Sequence, residues 1–271
     1  MIKDITIGQY FLGNSFLHRM DARMKIILTF ALIIAIFVCK SIPSLLLMVA
    51  ITVFLVAVSS VPFKMVLKSI KPIAIIVVFT GILNLFYVTG GKTLFEWSFI
   101  HITTKGIFTA VFMAVRIICL VVISSLLTYT TTPTMLTDAI ERLLSPLKVF
   151  KIPVHTLAMM MTLALRFIPT LIEEIDRISN AQKARGADLD SGGLIEKVKA
   201  LIPIIVPLFV SSIRRAYELA DAMDCRCYVG GDGRTRMKQM KLKGSDFVSL
   251  LVTAVLIAGL ILLNHYFTKV I

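Results

Sequence analysis

The sequence predicts an all-α, polytopic membrane protein with about five transmembrane helices and a cytoplasmic region of long, partly apolar helices. Three observations carry this prediction. Hydrophobic residues make up 57% of the 271 residues and the mean hydropathy is +0.88, which is more apolar surface than a soluble domain of this length buries. The apolar residues gather in runs of membrane-spanning character. The basic residues behind the net charge of +13 fall between those runs in a biased way, as the rule that sets membrane orientation expects.

Taken in order, residues 1–25 are polar and charged, so no secretory signal peptide is read there. The apolar runs are Ile26 to Cys39, Ser44 to Val61, Ile73 to Val88, Ile107 to Leu127 and Phe247 to Leu263. Several are shorter than the roughly 20 residues that cross a hydrocarbon core, so Lys25 and Lys71 are expected to snorkel outward. Arg19, Arg23 and Lys25 precede the first run, and Lys64, Lys68 and Lys71 separate the second from the third. Arg234, Arg236, Lys238, Lys241 and Lys243 precede the last. With five spans all three sets share one side, the cytoplasm, which puts the N-terminus inside and the C-terminus outside. The expected divisions are residues 1–128 with four spans, 129–245 on the cytoplasmic side, and 246–271 with the last span.

Two further apolar stretches, Ile152 to Leu165 and Leu201 to Ile213, give a seven-span alternative. That topology would export Arg166, Arg177, Lys183, Arg185, Lys197 and Lys199, against the charge bias. Pro203 and Pro207 are also expected to break the second stretch.

A search for enzyme chemistry returns absences. His18, His101, His155 and His265 are scattered, and no zinc-protease motif, nucleophile elbow or paired intramembrane carboxylates occur. The "GGKT" at Gly90 to Thr93 lacks the glycine a phosphate-binding loop needs five residues before Gly91, where Phe86 stands. No metal site is expected. Cys225 and Cys227 form one pair without a second pair or a nearby histidine at zinc spacing, and small helix positions are the alternative reading. Cys39 and Cys119 lie in apolar runs, and no disulfide framework is implied. Arg116, in "FMAVRIICL", is the one ionised side chain deep in a predicted span, where an unpaired guanidinium costs about 3 kcal/mol on insertion scales. Two roles are open to it: a place on a substrate or ion path, or hydrogen bonding to carbonyls or polar groups of a neighbouring helix.

Residues 129–245 carry the most information. In "TLIEEIDRISNAQKARGAD", Pro169 opens a predicted helix along which Leu171, Ile175 and Ile178 repeat at helical spacing. Its acids come early and Lys183 and Arg185 late, which suits the helix dipole, and Gly186 supplies the stop. In "SSIRRAYELADAMDCRCYVGGDG", Ile213, Ala216, Tyr217, Ala220, Met223 and Cys227 form an apolar stripe, with Gly230 and Gly231 expected to close the helix. Ala216 and Ala220, four apart, would let another helix cross closely. Arg226 falls off the stripe. The two helices are therefore expected to finish in the same manner, with small residues, one arginine and then glycine. Each arginine either complements its own helix end or enters an acidic pocket on another protein, where its fork pairs carboxylates bidentately.

The segments "GQYFLGNSFLHRMDARMK", "LALRFIPTLIEEIDRISNAQKARGAD" and "AMDCRCYVGGDGRTR", with their spacing, resemble the EcfT family, the transmembrane coupling subunits of energy-coupling factor vitamin transporters, related to CbiQ of cobalt systems. The resemblance runs essentially end to end. It departs at Leu12, where the family often has proline, and at Cys225, where it commonly has alanine; cysteine is small enough to keep close packing. The resemblance implies crossed cytoplasmic coupling helices that set two motifs, Ala184-Arg185-Gly186 and Cys225-Arg226-Cys227, into grooves on two ATP-binding-cassette ATPase subunits. It also implies a small membrane S component that captures the substrate and packs on the membrane and coupling helices. It implies no cofactor, and no ATP hydrolysis by this chain. Met159 to Met161 either offer an adaptable surface to S components or simply pack. A T subunit of a dedicated cobalt or nickel system is the near alternative. An ion-coupled carrier needs polar groups converging at the midplane, and a membrane transferase needs an acidic metal-binding motif; neither is found. The basic residues are accounted for by topology, so no nucleic-acid partner is expected.

Overall fold

A computed structural model describes residues 10–88, 90, 93–97, 100–151, 153–187, 193–230 and 242–267. The elements in chain order are α1 (Phe16–Arg19), α2 (Ala22–Val38), α3 (Ile42–Ser59), α4 (Phe63–Ile70), α5 (Ala74–Tyr87), β1 (Thr93–Trp97), β2 (Ile100–Thr103) and α6 (Thr104–Thr130). There follow α7 (Pro133–Leu143), a 3-10 turn at Ser145–Phe150, α8 (Val154–Ala184), α9 (Leu194–Asp224) and α10 (Gly244–Tyr266). The described residues within Gly8–Ala139 and Lys238–Ile271 form one compact unit and those within Ile140–Met237 another.

In the first unit the five apolar runs fall on α2, α3, α5, α6 and α10. Their helical character follows from runs without interior proline, opened by polar caps: the Asp21 carboxylate accepts the Arg23 amide at α2, and the Thr103 hydroxyl accepts the Gly106 amide at α6. A core of Leu32, Ile36, Met48, Ile51, Ile123 and Leu260 joins α2, α3, α6 and α10. Gly106 lets α5 and α6 approach, since a Cβ there would meet the Leu85 and Val88 carbonyl oxygens at 3.1 and 3.2 Å. The all-helical design carries one addition, an antiparallel hairpin of β1 and β2 between α5 and α6.

Helix α2 has 17 residues, about 26 Å at 1.5 Å per residue. Its length is compensated differently from the expectation. Lys71 is exposed, but Lys25 is not turned outward: it is 6% exposed, and its Nζ donates to the Thr130 carbonyl at 2.8 Å and the Thr131 hydroxyl at 3.2 Å. The ammonium thereby satisfies the carbonyl end of α6 and complements its dipole. Asp246, fully buried at the start of α10, accepts the Lys243 amide at 2.9 Å and the Asp21 amide at 3.5 Å. At the opposite end of these helices the Asn264 side chain accepts the Lys40 amide and donates to the Val38 carbonyl. The starts of α2 and α10 and the end of α6 thus share one end of the unit, together with Arg23, Lys25 and Lys243.

In the second unit α8 and α9 are each 31 residues long, and three prolines expected to open or break helices lie inside them: Pro169 in α8, Pro203 and Pro207 in α9. Each proline forfeits a hydrogen bond and clashes with the preceding turn, at about 3 kcal/mol. Contacts of α8 with α9 along their length, at Met159–Tyr228, Glu174–Arg215 and Gln182–Pro203, offset that loss and carry both helices through the prolines. Among the described residues five helices, α3, α6, α8, α9 and α10, are long and apolar enough to cross a membrane, and α4 with α5 qualifies as a pair bent by 54°.

Candidate functional site

The two arginine motifs sit at the ends of α8 and α9, and the chain terminates both helices by the same hydrogen-bond pattern. At α8 the Ala187 amide donates to the Gln182 carbonyl at 3.0 Å and the Gly186 amide to the Lys183 carbonyl at 3.0 Å. At α9 the Tyr228 amide donates to the Met223 carbonyl at 3.1 Å and the Cys227 amide to the Asp224 carbonyl at 2.9 Å. Each is a Schellman closure, which requires a left-handed residue just past the helix. Gly186 fills that position with φ 87° and Cys227 with φ 53°. Arg185 and Arg226 therefore occupy the same place, immediately before the left-handed residue, and both are exposed.

This corrects the expected end of the second helix. Glycines at 230 and 231 were to close it, yet α9 stops at Asp224 and Cys227 makes the reversal. A cysteine is tolerated in the left-handed region at a cost of about 1–2 kcal/mol, here offset by two closing hydrogen bonds. Gly231, and with it the Gly-Arg-Thr segment, Arg234, Arg236, Lys238 and Lys241, lies outside the described residues.

Helices α8 and α9 run antiparallel and meet at three levels. The Tyr228 hydroxyl donates to Met159 Sδ at 2.9 Å, Arg215 pairs with Glu174 at 2.6 Å, and the Gln182 side-chain Nε2 donates to the Pro203 carbonyl at 3.3 Å. The antiparallel arrangement carries the two arginines to opposite ends of the pair, roughly 35–40 Å apart at 1.5 Å per residue. The face of α9 that is partly covered holds Ile204, Leu208, Ser212, Arg215, Leu219 and Met223. The predicted stripe meets that face at Met223 alone: Ile213 is 42% and Tyr217 69% exposed, and Ala216, Ala220 and Cys227 are exposed as well. Met159 is half-buried against Tyr228, whereas Met160 and Met161 are exposed. His155 near the start of α8 bonds Glu141 of α7 at 3.1 Å.

Two residue pairs that fix this geometry escaped the sequence reading. Glu174 was visible only as one of several early acids, and nothing in the chain pairs it with Arg215, 41 positions later. The Met159–Tyr228 contact spans 69 positions.

Arg116 belongs to α6, in the other unit. Its Nη2 donates to the Cys39 carbonyl just past the end of α2, its guanidinium lies over the Phe112 ring at 4.9 Å, and Nη1 approaches Met113 Sδ at 3.8 Å. The arrangement caps a helix end with a cation and a ring face. Among the described residues no group of three or more His, Cys, Asp or Glu could hold a metal ion. Cys225 and Cys227 are exposed thiols on either side of Arg226.

The profile of the cobalt transport protein family CbiQ matches residues 13–238. The energy-coupling factor transporter transmembrane protein EcfT of Ruminiclostridium cellulolyticum is 53% identical over 267 residues, covering 98% of this chain and 100% of the relative. The protein of that name from Clostridium kluyveri is 51% identical over 271 residues, 99% of this chain and 100% of the relative. That of Bacillus subtilis is 42% identical over 261 residues, 96% and 98%.

Proposed function

This chain belongs to the CbiQ/EcfT family, and from that premise we propose that it is the transmembrane coupling subunit of an energy-coupling factor importer for vitamins or related micronutrients. It carries no catalytic site of its own. Two ATP-binding-cassette subunits dock on Arg185 and Arg226 with their small neighbours, and a membrane S component lies against the uncovered apolar face of α9 and the adjoining methionines. The single observation that carries this reading is the pair of matching closures. One arginine, presented identically at each end of an antiparallel helix pair, suits two like sockets on two like subunits, and the pair between them works as a rigid lever. Arg215–Glu174 fixes the lever near its middle.

Orientation follows the same logic. The starts of α2 and α10 and the end of α6 share one end of the first unit, so the chain leaves that unit and returns to it at its basic end. A cytoplasmic position for that end, and for residues 129–245, accords with the charge bias. The N-terminus is then inside and the C-terminus outside.

The test is double charge reversal, Arg185→Glu with Arg226→Glu, in vesicles carrying the whole transporter. Expected are loss of ATPase attachment and of uptake, with insertion of the chain unchanged and each single variant milder. Undiminished uptake by the double variant would overturn the proposal.

A further inference from the structure

Helix α4 divides its surface three ways. Val66 is buried and Met65 and Ile70 half-buried, packed with Val122, Leu126 and Tyr129 of α6. The Tyr129 hydroxyl locks the helix in place, 3.2 Å from both the Met65 carbonyl and the Ser69 hydroxyl. Beside that face runs an exposed apolar ridge, Phe63 at 67% and Leu67 at 50%. Next to the ridge, Lys64, Lys68 and Lys71 follow at i, i+4 and i+7 and so share one face. All three are exposed, their ammonium groups without a hydrogen bond or ion pair to any other described residue, and the stretch Phe63–Lys71 contains no acid.

Two further features bear on what covers this surface. Helix α4 departs from α5 by 54°, at Lys71 and Pro72, so when α5 crosses the bilayer α4 lies well away from the membrane normal. An apolar groove of about 560 Å³ runs along α4 between α3 and α6, its walls including Val53, Val56, Phe63, Val66, Ile70 and Val115. A loop that only sets orientation needs positive charge; it does not need that charge aligned on one helix face beside an apolar ridge and a greasy groove. Those are the parts of an interfacial helix that grips an anionic lipid.

We propose that α4 is an in-plane anchor that holds an anionic phospholipid, its headgroup against Lys64, Lys68 and Lys71 and an acyl chain along the groove between α3 and α6. Phe63 and Leu67 enter the acyl region while the lysine stems reach back to the headgroup layer.

The test places a reporter on the ridge, Phe63→Trp in a Trp97→Phe background, in the full chain reconstituted in liposomes. Quenching by brominated phosphatidylglycerol is compared with quenching by brominated phosphatidylcholine. Expected is about fivefold enrichment of phosphatidylglycerol at the reporter over its bulk fraction, weakening as salt rises from 0.05 to about 0.5 M, where exposed charges are screened. Replacing all three lysines by glutamine should abolish the enrichment and replacing them by arginine should keep it. The salt titration needs no lysine variant, so a glutamine variant that fails to insert leaves the question decidable. Equal quenching by the two lipids overturns the proposal, as does enrichment indifferent to salt. Displacement by millimolar inorganic phosphate would make this a phosphate site instead, and a tryptophan quenched by neither lipid would mean that protein covers the ridge.

Discussion

Substituting Gly186 by alanine isolates what the helix closure contributes. Gly186 has φ 87°, and a Cβ built there finds nothing within 4 Å. The substitution therefore meets no neighbour, and its whole effect is the cost of a side chain in the left-handed region, about 1 kcal/mol. That corresponds to about a fivefold rise in the open population of the cap. Hydrogen exchange reads it directly: the Gly186 and Ala187 amides, which donate to Lys183 and Gln182, should exchange about five times faster while the first turns of α8 keep their protection. If Arg185 docks an ATPase subunit as proposed, attachment there should fall by no more than the same factor, since the residue stands on this turn. The mirror substitution, Cys227→Gly, relieves a residue at φ 53° and should slow exchange of the Cys227 and Tyr228 amides. Exchange unchanged in Gly186→Ala, or moving the same way in both variants, would refute the matching-closure argument at its root.

Two further substitutions bear on the first unit. Lys25→Met removes a buried donor from the Thr130 carbonyl and Thr131 hydroxyl, so it should lower stability by about 2 kcal/mol, seen as a thermal midpoint about 4–8 °C lower in detergent; an unaltered midpoint would show the tie to be idle. At Arg116, lysine should preserve most stability and all transport, because an ammonium also donates to the Cys39 carbonyl, whereas alanine should lose about 2 kcal/mol. A stable Arg116→Lys protein that no longer supports uptake would instead put the guanidinium on a transport path.

Hydropathy made the membrane helices legible. It sums over about twenty residues, so errors of a residue or two at each end do not alter the result: the run read as Ile107 to Leu127 is α6, Thr104–Thr130, and that read as Phe247 to Leu263 is α10, Gly244–Tyr266. What escaped depends on distant partners. A lysine at the head of an apolar run snorkels by default, and Lys25 is buried because the end of α6, 105 positions away, supplies its acceptor. The three prolines were read by local propensity, which the surrounding helix overrides. The two arginine motifs and their likeness were read from the sequence, but the second reversal was placed at the wrong residue: it falls on Cys227, and cysteine rarely takes the left-handed conformation.

The apolar stripe on α9 shows how far periodicity reaches. Ile213, Ala216, Tyr217 and Ala220 repeat as a buried face should, yet they are exposed, while the face toward α8 includes Ser212 and Arg215. The covered face is itself mostly apolar, with Ile204, Leu208, Leu219 and Met223 beside Ser212 and Arg215, so α9 carries more apolar surface than its contact with α8 covers. The uncovered face has to meet lipid or another protein, and apolar area counts toward assembly at about 25 cal/mol per Å² buried. Periodicity thus found an apolar face, but not that α8 leaves most of it uncovered. The polar pair Arg215–Glu174 makes sense in the same terms, since it sets the registry of α8 on α9 without consuming the apolar surface that a partner needs. Under the proposed function, a coupling element built this way holds its shape by side-chain pairing and leaves apolar area for a membrane partner.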